Sequence, residues 1–122
     1  MRGEGHIVEN ALSAELEYLP FINLAIQQNA LPLVRELTLV NHSDTKKERV
    51  ECVFSSVPGF IAEKKISVEG LEAGEERPIR DLEIGLDYSF LSSISEEMKG
   101  KLVLELRLEG ESVFRREYEL TA

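Results

Sequence analysis

Apolar and polar residues alternate along most of the chain, which is the pattern of β-strands that bury one face. The inward-facing positions, in chain order, are Ala14, Leu16 and Tyr18; Leu37 and Leu39; Val50, Cys52 and Phe54; Ile66 and Val68; Leu82, Ile84 and Leu86; Leu102, Leu104, Leu106 and Leu108; and Phe114, Tyr118 and Leu120. Arg116 falls in the apolar phase of the last strand. Either its stem lies along the rim of the core or a bulge shifts the phase, and we favour the rim.

The strands are bounded by residues that favour turns. The first strand covers Ala14 to Leu19, and the second covers Leu33 to Asn41. At the start of the second strand the pattern is compatible with burial of either face. Asn41 to Asp44 then forms a turn, because Asn, Ser and Asp side chains bond their own backbone. Ser56 to Gly59 ends the third strand, and Gly70 and Gly74 bracket a later turn.

Two connections have apolar residues at helical spacing. Pro20 to Gln28 predicts a turn or two of helix, and Tyr88 to Lys99 predicts a second helix. Gly100 follows the second segment directly and is expected to cap it.

Together these segments predict an all-β fold. The connections are too short for a series of parallel crossovers, which need a dozen or more residues each. We therefore expect an antiparallel immunoglobulin-like β-sandwich of about seven strands, with one or two short helices in the connections. A β-barrel is the alternative. Residues 13–122 are expected to form this single domain, and residues 1–12 a flexible N-terminal segment.

Length and charge narrow the classes of function. The chain has 122 residues, enough for one domain with its own core. Its 23 acidic and 14 basic residues give a net charge of −9, which disfavours direct contact with nucleic acid or with an anionic membrane. No apolar run reaches the roughly 20 residues that span a bilayer. The N-terminus lacks a signal-peptide pattern, and the single cysteine favours a reducing compartment, so we expect a cytoplasmic protein.

Residues that could carry catalysis are few. A nucleophile needs a base within hydrogen-bond reach, and the candidates are Cys52, His6 and His42. Cys52 shares the apolar phase of its strand and is expected to be buried, whereas both histidines are expected to be solvated. No histidine or cysteine cluster has metal-ligand spacing, and no glycine-rich phosphate loop is present. The sequence therefore predicts a chain that is not an enzyme and holds no cofactor or metal.

Basic residues occur in three groups, Lys46-Lys47-Arg49, Lys64-Lys65 and Arg115-Arg116. Acidic residues flank each group, and none is interleaved with exposed aromatic residues as in nucleic-acid-binding surfaces. We interpret them as solubilising charge.

One group of polar residues stands out from its apolar surroundings. Asn23, Gln27, Gln28 and Asn29 lie between two prolines, Pro20 and Pro32. Uncharged amides both donate and accept hydrogen bonds, so they can satisfy the backbone where the chain crosses between sheets. The alternative is that they form a docking surface for a partner domain.

This region also carries a family resemblance. The stretch PFINLAIQQN at residues 20–29, followed by LPLVREL at 31–37, resembles the N-terminal domain of very large bacterial superfamily 1 helicase-like proteins. Many of those proteins end in a nuclease domain of the very-short-patch-repair type. The similarity continues through residues 71–75, Leu82, Leu86, residues 88–91 and residues 100–102, and covers roughly Ala14 to Leu120.

The resemblance implies a role without catalysis. The chain would be an accessory or protein-interaction domain of a larger intracellular protein, with other domains of that polypeptide or a separate protein as its partner. No phosphate loop or motor motif occurs in this sequence, so ATP hydrolysis carries over to none of its residues. The alternative is an adhesion-type sandwich of a surface or secreted protein that binds protein or carbohydrate.

Overall fold

A computed structural model of the protein describes residues 11–22, 33–80 and 82–122. Within these ranges the chain forms seven strands and one short helix. In chain order they are β1 (Leu12–Tyr18), β2 (Val34–Asn41), β3 (Lys47–Val57), β4 (Lys64–Leu71), β5 (Glu76–Arg80), α1 (Tyr88–Ser92), β6 (Lys99–Leu108) and β7 (Glu111–Thr121). Of the expected N-terminal segment, residues 1–10 lie outside the described part, and β1 begins at Leu12.

The strands form two sheets. One has the order β1-β2-β5 and the other β4-β3-β6-β7, and every neighbouring pair is antiparallel. The β3–β4 and β6–β7 connections are hairpins within one sheet, whereas the connections after β2, β4 and β5 pass between the sheets. The predicted all-β, antiparallel sandwich of seven strands is thus confirmed.

The core lies between the two sheets and is built from the inward positions of the alternation. Its fully buried members come from both sheets: Leu37, Leu39, Val50, Cys52, Phe54, Leu102, Leu104 and Leu106. Burial of such side chains is the main stabilising term, at about 25 cal/mol for each Å² removed from water.

A bulge explains why the sequence pattern does not identify one buried face at the start of β2. Leu33 and Val34 are both buried, at 8% and 1% exposure, although neighbouring residues of a regular strand face opposite sides. The register between β1 and β2 shifts between Glu17 and Tyr18, so the strand is irregular here.

Arg116 lies on the rim, as predicted. It pairs with Leu104 across the β6–β7 ladder, and its side chain is exposed. Its guanidinium carbon lies 5.5 Å from the centroid of the Tyr118 ring, a cation–π contact. The register shift of this ladder falls between Leu106 and Arg107, so no irregularity separates Phe114 from Tyr118.

The predicted strand through Leu82, Ile84 and Leu86 is wrong. The fifth strand is β5, whose sequence ERPIR contains one apolar residue besides Pro78. β5 is a short edge strand with three of its five positions exposed and none fully buried, so it lacks the apolar alternation of a strand with one buried face. Leu82 and Leu86 are buried, but in irregular chain that follows it.

The second helix is shorter than predicted. It begins after Asp87, whose carboxylate accepts a hydrogen bond from the Phe90 amide as an N-cap, and it ends at Ser92. Gly100 does not cap it, because β6 has already begun at Lys99. The first predicted helix lies mostly outside the described residues.

Candidate functional site

The four amide residues singled out by the sequence, Asn23, Gln27, Gln28 and Asn29, lie outside the described residues. Both interpretations of them, structural crossover and docking surface, therefore stay predictions.

The two flanks of the amide segment are anchored at one end of the sandwich. The Leu19 amide donates to the Leu33 carbonyl at 2.8 Å. The Thr121 amide donates to the Pro20 carbonyl and the Thr121 carbonyl accepts from the Ile22 amide, each at 2.8 Å. The segment thus leaves and re-enters the sandwich where β1 and β7 end and β2 begins, which we name the amide end.

Exposed apolar side chains concentrate at the amide end. Among the residues the structure describes, the large apolar side chains that stand exposed are Phe21, Val57 and Tyr88, at 60%, 65% and 53%. Phe21 bridges to Thr121 at the end of β7, and Val57 pairs with Lys101 near the start of β6. Tyr88 follows Asp87, whose amide donates to the Phe60 carbonyl in the loop after β3.

A groove of about 620 Å³ lies at the opposite end of the four-stranded sheet, which we name the hairpin end. Its wall on one side is the start of β3, and on the other side it is the hairpin between β6 and β7. Its lining residues are Lys46, Lys47, Glu48, Arg49, Glu51, Arg107, Leu108, Glu109 and Gly110.

The groove exists because β3 and β6 part at this end. The β3–β6 ladder stops at the pair Glu51–Arg107, whereas β3 continues to pair with β4 as far back as Lys47. β6 instead turns into its hairpin at Glu109 and Gly110, which both have positive φ, at 51° and 83°. Such two-residue turns match the twist of the flanking strands.

The groove carries two basic side chains that neutral groups hold in place. Both Nε and Nη2 of Arg49 donate to the hydroxyl of Ser67, at 3.3 Å and 3.1 Å. The ammonium of Lys47 donates to the hydroxyl of Thr45 at 3.2 Å. Within the described ranges, neither Lys47 nor Arg49 forms an ion pair with a carboxylate.

The other two cations of the groove are already paired. Arg107 contacts Glu105 at 2.6 Å and Glu51 at 3.8 Å. A hydrogen bond from Ser112 and another from Arg107 lower the pKa of Glu105, so its negative charge is held beside Arg107. Lys46 lies 3.7 Å from Glu72. Among the residues that the structure describes, the cations of the groove without a carboxylate partner are therefore Lys47 and Arg49.

Asn41 fixes the loop that leads into the groove. It is fully buried, and its amide nitrogen donates to the carbonyls of Thr45, Leu71 and Glu72 at 2.9 to 3.2 Å. Its amide oxygen accepts from Ser43. The sequence predicted Asn41 as a turn residue, but its bonds to residues about 30 positions away carry no local signal.

The candidate nucleophile and bases do not form a catalytic site in the described part of the chain. Cys52 is buried as predicted, and this burial, with a smaller effect of Glu51, raises the pKa of its thiol to about 12. His42 lies in an exposed loop, where its Nε2 is 2.7 Å from the hydroxyl of Ser13. His6 lies outside the described residues.

The described residues contain no cluster of three or more His, Cys, Asp or Glu side chains placed to hold a metal ion. In the same ranges no helix is long and apolar enough to cross a membrane. Comparison with models of protein families, with curated proteins and with solved structures found no significant match to the chain.

Proposed function

We propose that this chain is a non-catalytic protein-interaction domain with an immunoglobulin-like sandwich, and that it serves as an accessory domain of a larger intracellular bacterial helicase-like protein. The resemblance of residues 14–120 to the N-terminal domains of such proteins motivates the assignment. Its partner is another domain of the same polypeptide or a separate protein.

The order of the strands supports an immunoglobulin-like topology. Constant-type immunoglobulin domains have sheets ABED and CFG. Here β1, β2 and β5 correspond to A, B and E, and β3, β6 and β7 correspond to C, F and G. The fourth strand is the exception, because β4 pairs with β3 and not with β5.

The observation that carries the proposed interaction is the exposure of three large apolar side chains at the amide end. Phe21, Val57 and Tyr88 are each more than half exposed, although burial of such side chains is favourable. Apolar and aromatic side chains gathered at one place are typical of protein interfaces. The amide end is therefore the surface on which we expect a partner to dock.

The gene and the full-length protein test this proposal. An open reading frame that continues past Ala122 into helicase motifs supports it, whereas a sorting signal or a surface-anchored neighbouring domain favours the adhesion-type alternative. Hydrogen exchange should then be slower around Val57 and Tyr88 in the full-length protein than in the isolated chain, because a docked partner excludes water there.

A double substitution, V57S/Y88S, should remove this extra protection in the full-length protein while leaving the melting temperature of the isolated chain almost unchanged. V40S, on the outer face of the three-stranded sheet, is the control and should leave the protection intact. Equal exchange of the amide end in the isolated chain and in the full-length protein would contradict the proposal.

A further inference from the structure

The start of β3 presents an open strand edge inside the groove. Residues 47–50 pair with β4 on one side, and in the described part of the chain no strand pairs with them on the side that faces β6. Every second residue of a strand directs its N–H and C=O to a given side. About two residues of β3 thus offer free backbone groups to the groove, and an extended peptide can pair with such an edge.

The charges of the groove select the peptide. Lys47 and Arg49 are two residues apart on β3, so their side chains lie on one face, about 6.6 Å apart along the strand. An added strand presents alternate side chains on that same face, at the same spacing. Carboxylates at every second position of the peptide would therefore lie opposite the two unpaired cations.

We propose that the groove at the hairpin end binds an acidic, extended peptide segment of a protein partner, which adds as a short strand to the open edge of β3. The matching unit is Glu-x-Glu, with its two carboxylates on Lys47 and Arg49. The hydroxyl of Thr45 holds Lys47 in place before binding, which reduces the entropy lost on association. Arg49 exchanges its bonds to Ser67 of β4 for the peptide carboxylate, a stronger charge-assisted partner. This surface is distinct from the amide end and does not depend on the function proposed above.

A peptide fits this groove better than a nucleic acid does. Glu48, Glu51 and Glu109 also line the groove, and the whole chain carries a net charge of −9. The closely spaced phosphates of a nucleic acid would face these carboxylates as well as the cations. An extended peptide needs carboxylates only at the two positions opposite Lys47 and Arg49, so it can place a neutral residue opposite Glu51, the next residue on the same face of β3.

The test uses the 122-residue chain and a labelled, end-capped hexapeptide of alternating glutamate and threonine, titrated by fluorescence anisotropy at low salt. We expect saturable binding that weakens as salt is raised to about 150 mM, because screening reduces the attraction between exposed charges. The variant K47Q/R49Q should weaken binding about tenfold or more. K64Q/K65Q removes the same charge from β4, outside the groove, and should weaken it by less than about twofold.

Further peptides separate strand pairing from simple charge attraction. A lysine–threonine hexapeptide should not bind. Of two glutamate peptides, one N-methylated at the threonine amides and the other at the glutamate amides, the one whose methyl groups face β3 should bind at least about tenfold more weakly, because it cannot donate to the β3 edge. In the NMR spectrum, the glutamate peptide should shift the amides of residues 47–50.

Three results would overturn the proposal: no saturable binding at about millimolar peptide, equal losses in the two double variants, or unchanged binding of both N-methylated peptides. None of these results bears on the amide end, so failure here and failure of the proposed function are distinguishable.

Discussion

At the scale of single residues, Cys52 and Asn41 are the two buried side chains whose chemistry depends most on their surroundings. Cys52 pairs with Ile66 on one neighbouring strand and Leu106 on the other, and it has no exposed surface. A thiolate in this position would lose its hydration without gaining a partner, which is why the pKa of the thiol is raised to about 12.

Cys52 should therefore react slowly with a thiol reagent. At about pH 8.5 half of the thiols of an unfolded chain are ionised, whereas the folded thiol is almost entirely protonated and also shielded. We expect labelling of the native chain to be at least about a thousandfold slower than labelling in denaturant. Rapid stoichiometric labelling of the folded chain would show that the thiol is accessible.

Local sequence could predict one of these two residues and not the other. Cys52 shares the phase of Val50 and Phe54, and that phase alone placed it in the core. Asn41 was predicted as the end of the second strand and as a turn former, but its bonds to Leu71 and Glu72 could not be predicted, because no local pattern connects those residues to it. The open edge of β3 could not be predicted either. Lys46, Lys47 and Arg49 have the pattern of ordinary solubilising charge, and the edge depends on where the pairing of β3 with β6 ends.

At the scale of elements, the strands that bury one face could be predicted, whereas β5 and the irregular connections could not. Periodicity located β1, β2, β3, β4, β6 and β7, because their apolar side chains face the opposite sheet. The β5 strand faces solvent at an edge and carries Pro78, so it has no such signal. The helical spacing also predicted which side chains of the next connection pack on the core, namely Phe90, Ile94 and Met98. Phe90 lies in the short helix, whereas Ile94 and Met98 lie in the non-helical chain after it.

Gly100 shows how tightly one of these connections packs against a strand. A Cβ atom at this position would lie 2.5 Å from the carbonyl oxygen of Val57 and 2.6 to 2.7 Å from the side chains of Phe60 and Pro58. We expect G100A to lower the free energy of unfolding by about 1–3 kcal/mol, because β6 or the loop after β3 must shift to relieve the overlap.

Chemical denaturation of G100A measures this loss, and G85A is the matched control. A Cβ at Gly85 has no heavy atom within 4 Å, so the control should stay close to the wild-type stability. If the two variants unfold at the same denaturant concentration, the close approach at Gly100 does not exist in solution.

At the scale of the whole molecule, acidic residues dominate the surface, and several of them are tied to arginines. The Arg77 guanidinium lowers the pKa of Glu75, and Arg115 lowers the pKa of Glu117. Ser112, followed by Arg107, lowers the pKa of Glu105. A carboxyl group with a lowered pKa in the folded state binds fewer protons than it does in the unfolded chain, so it contributes stability that is lost in acid.

Stability should therefore be highest near neutral pH and should fall as the pH drops below the ordinary glutamate value of about 4.3 towards the lower folded values. Urea unfolding at a series of pH values measures this profile. R115Q removes the nearer of the two basic partners of Glu117 and leaves Lys101, so the gap between wild type and R115Q should narrow as the pH falls. K65Q, a control outside these pairs, should follow the wild-type profile in parallel. A gap that stays constant down to pH 3 would contradict the assignment of the Arg115–Glu117 pair.

The meeting of the chain's early and late segments at the amide end has a consequence for the timing of folding. The hydroxyl of Tyr18 donates to the carbonyl of Glu119, 101 residues further along the chain, and Pro20 and Ile22 bond Thr121 beside it. The β3–β4 and β6–β7 hairpins join neighbouring segments and can form early, whereas this junction must wait for the closure of a loop that spans nearly the whole domain. During synthesis on the ribosome, the segment around Pro20 emerges long before Thr121 exists, so its backbone groups remain without these partners until the last strand is made.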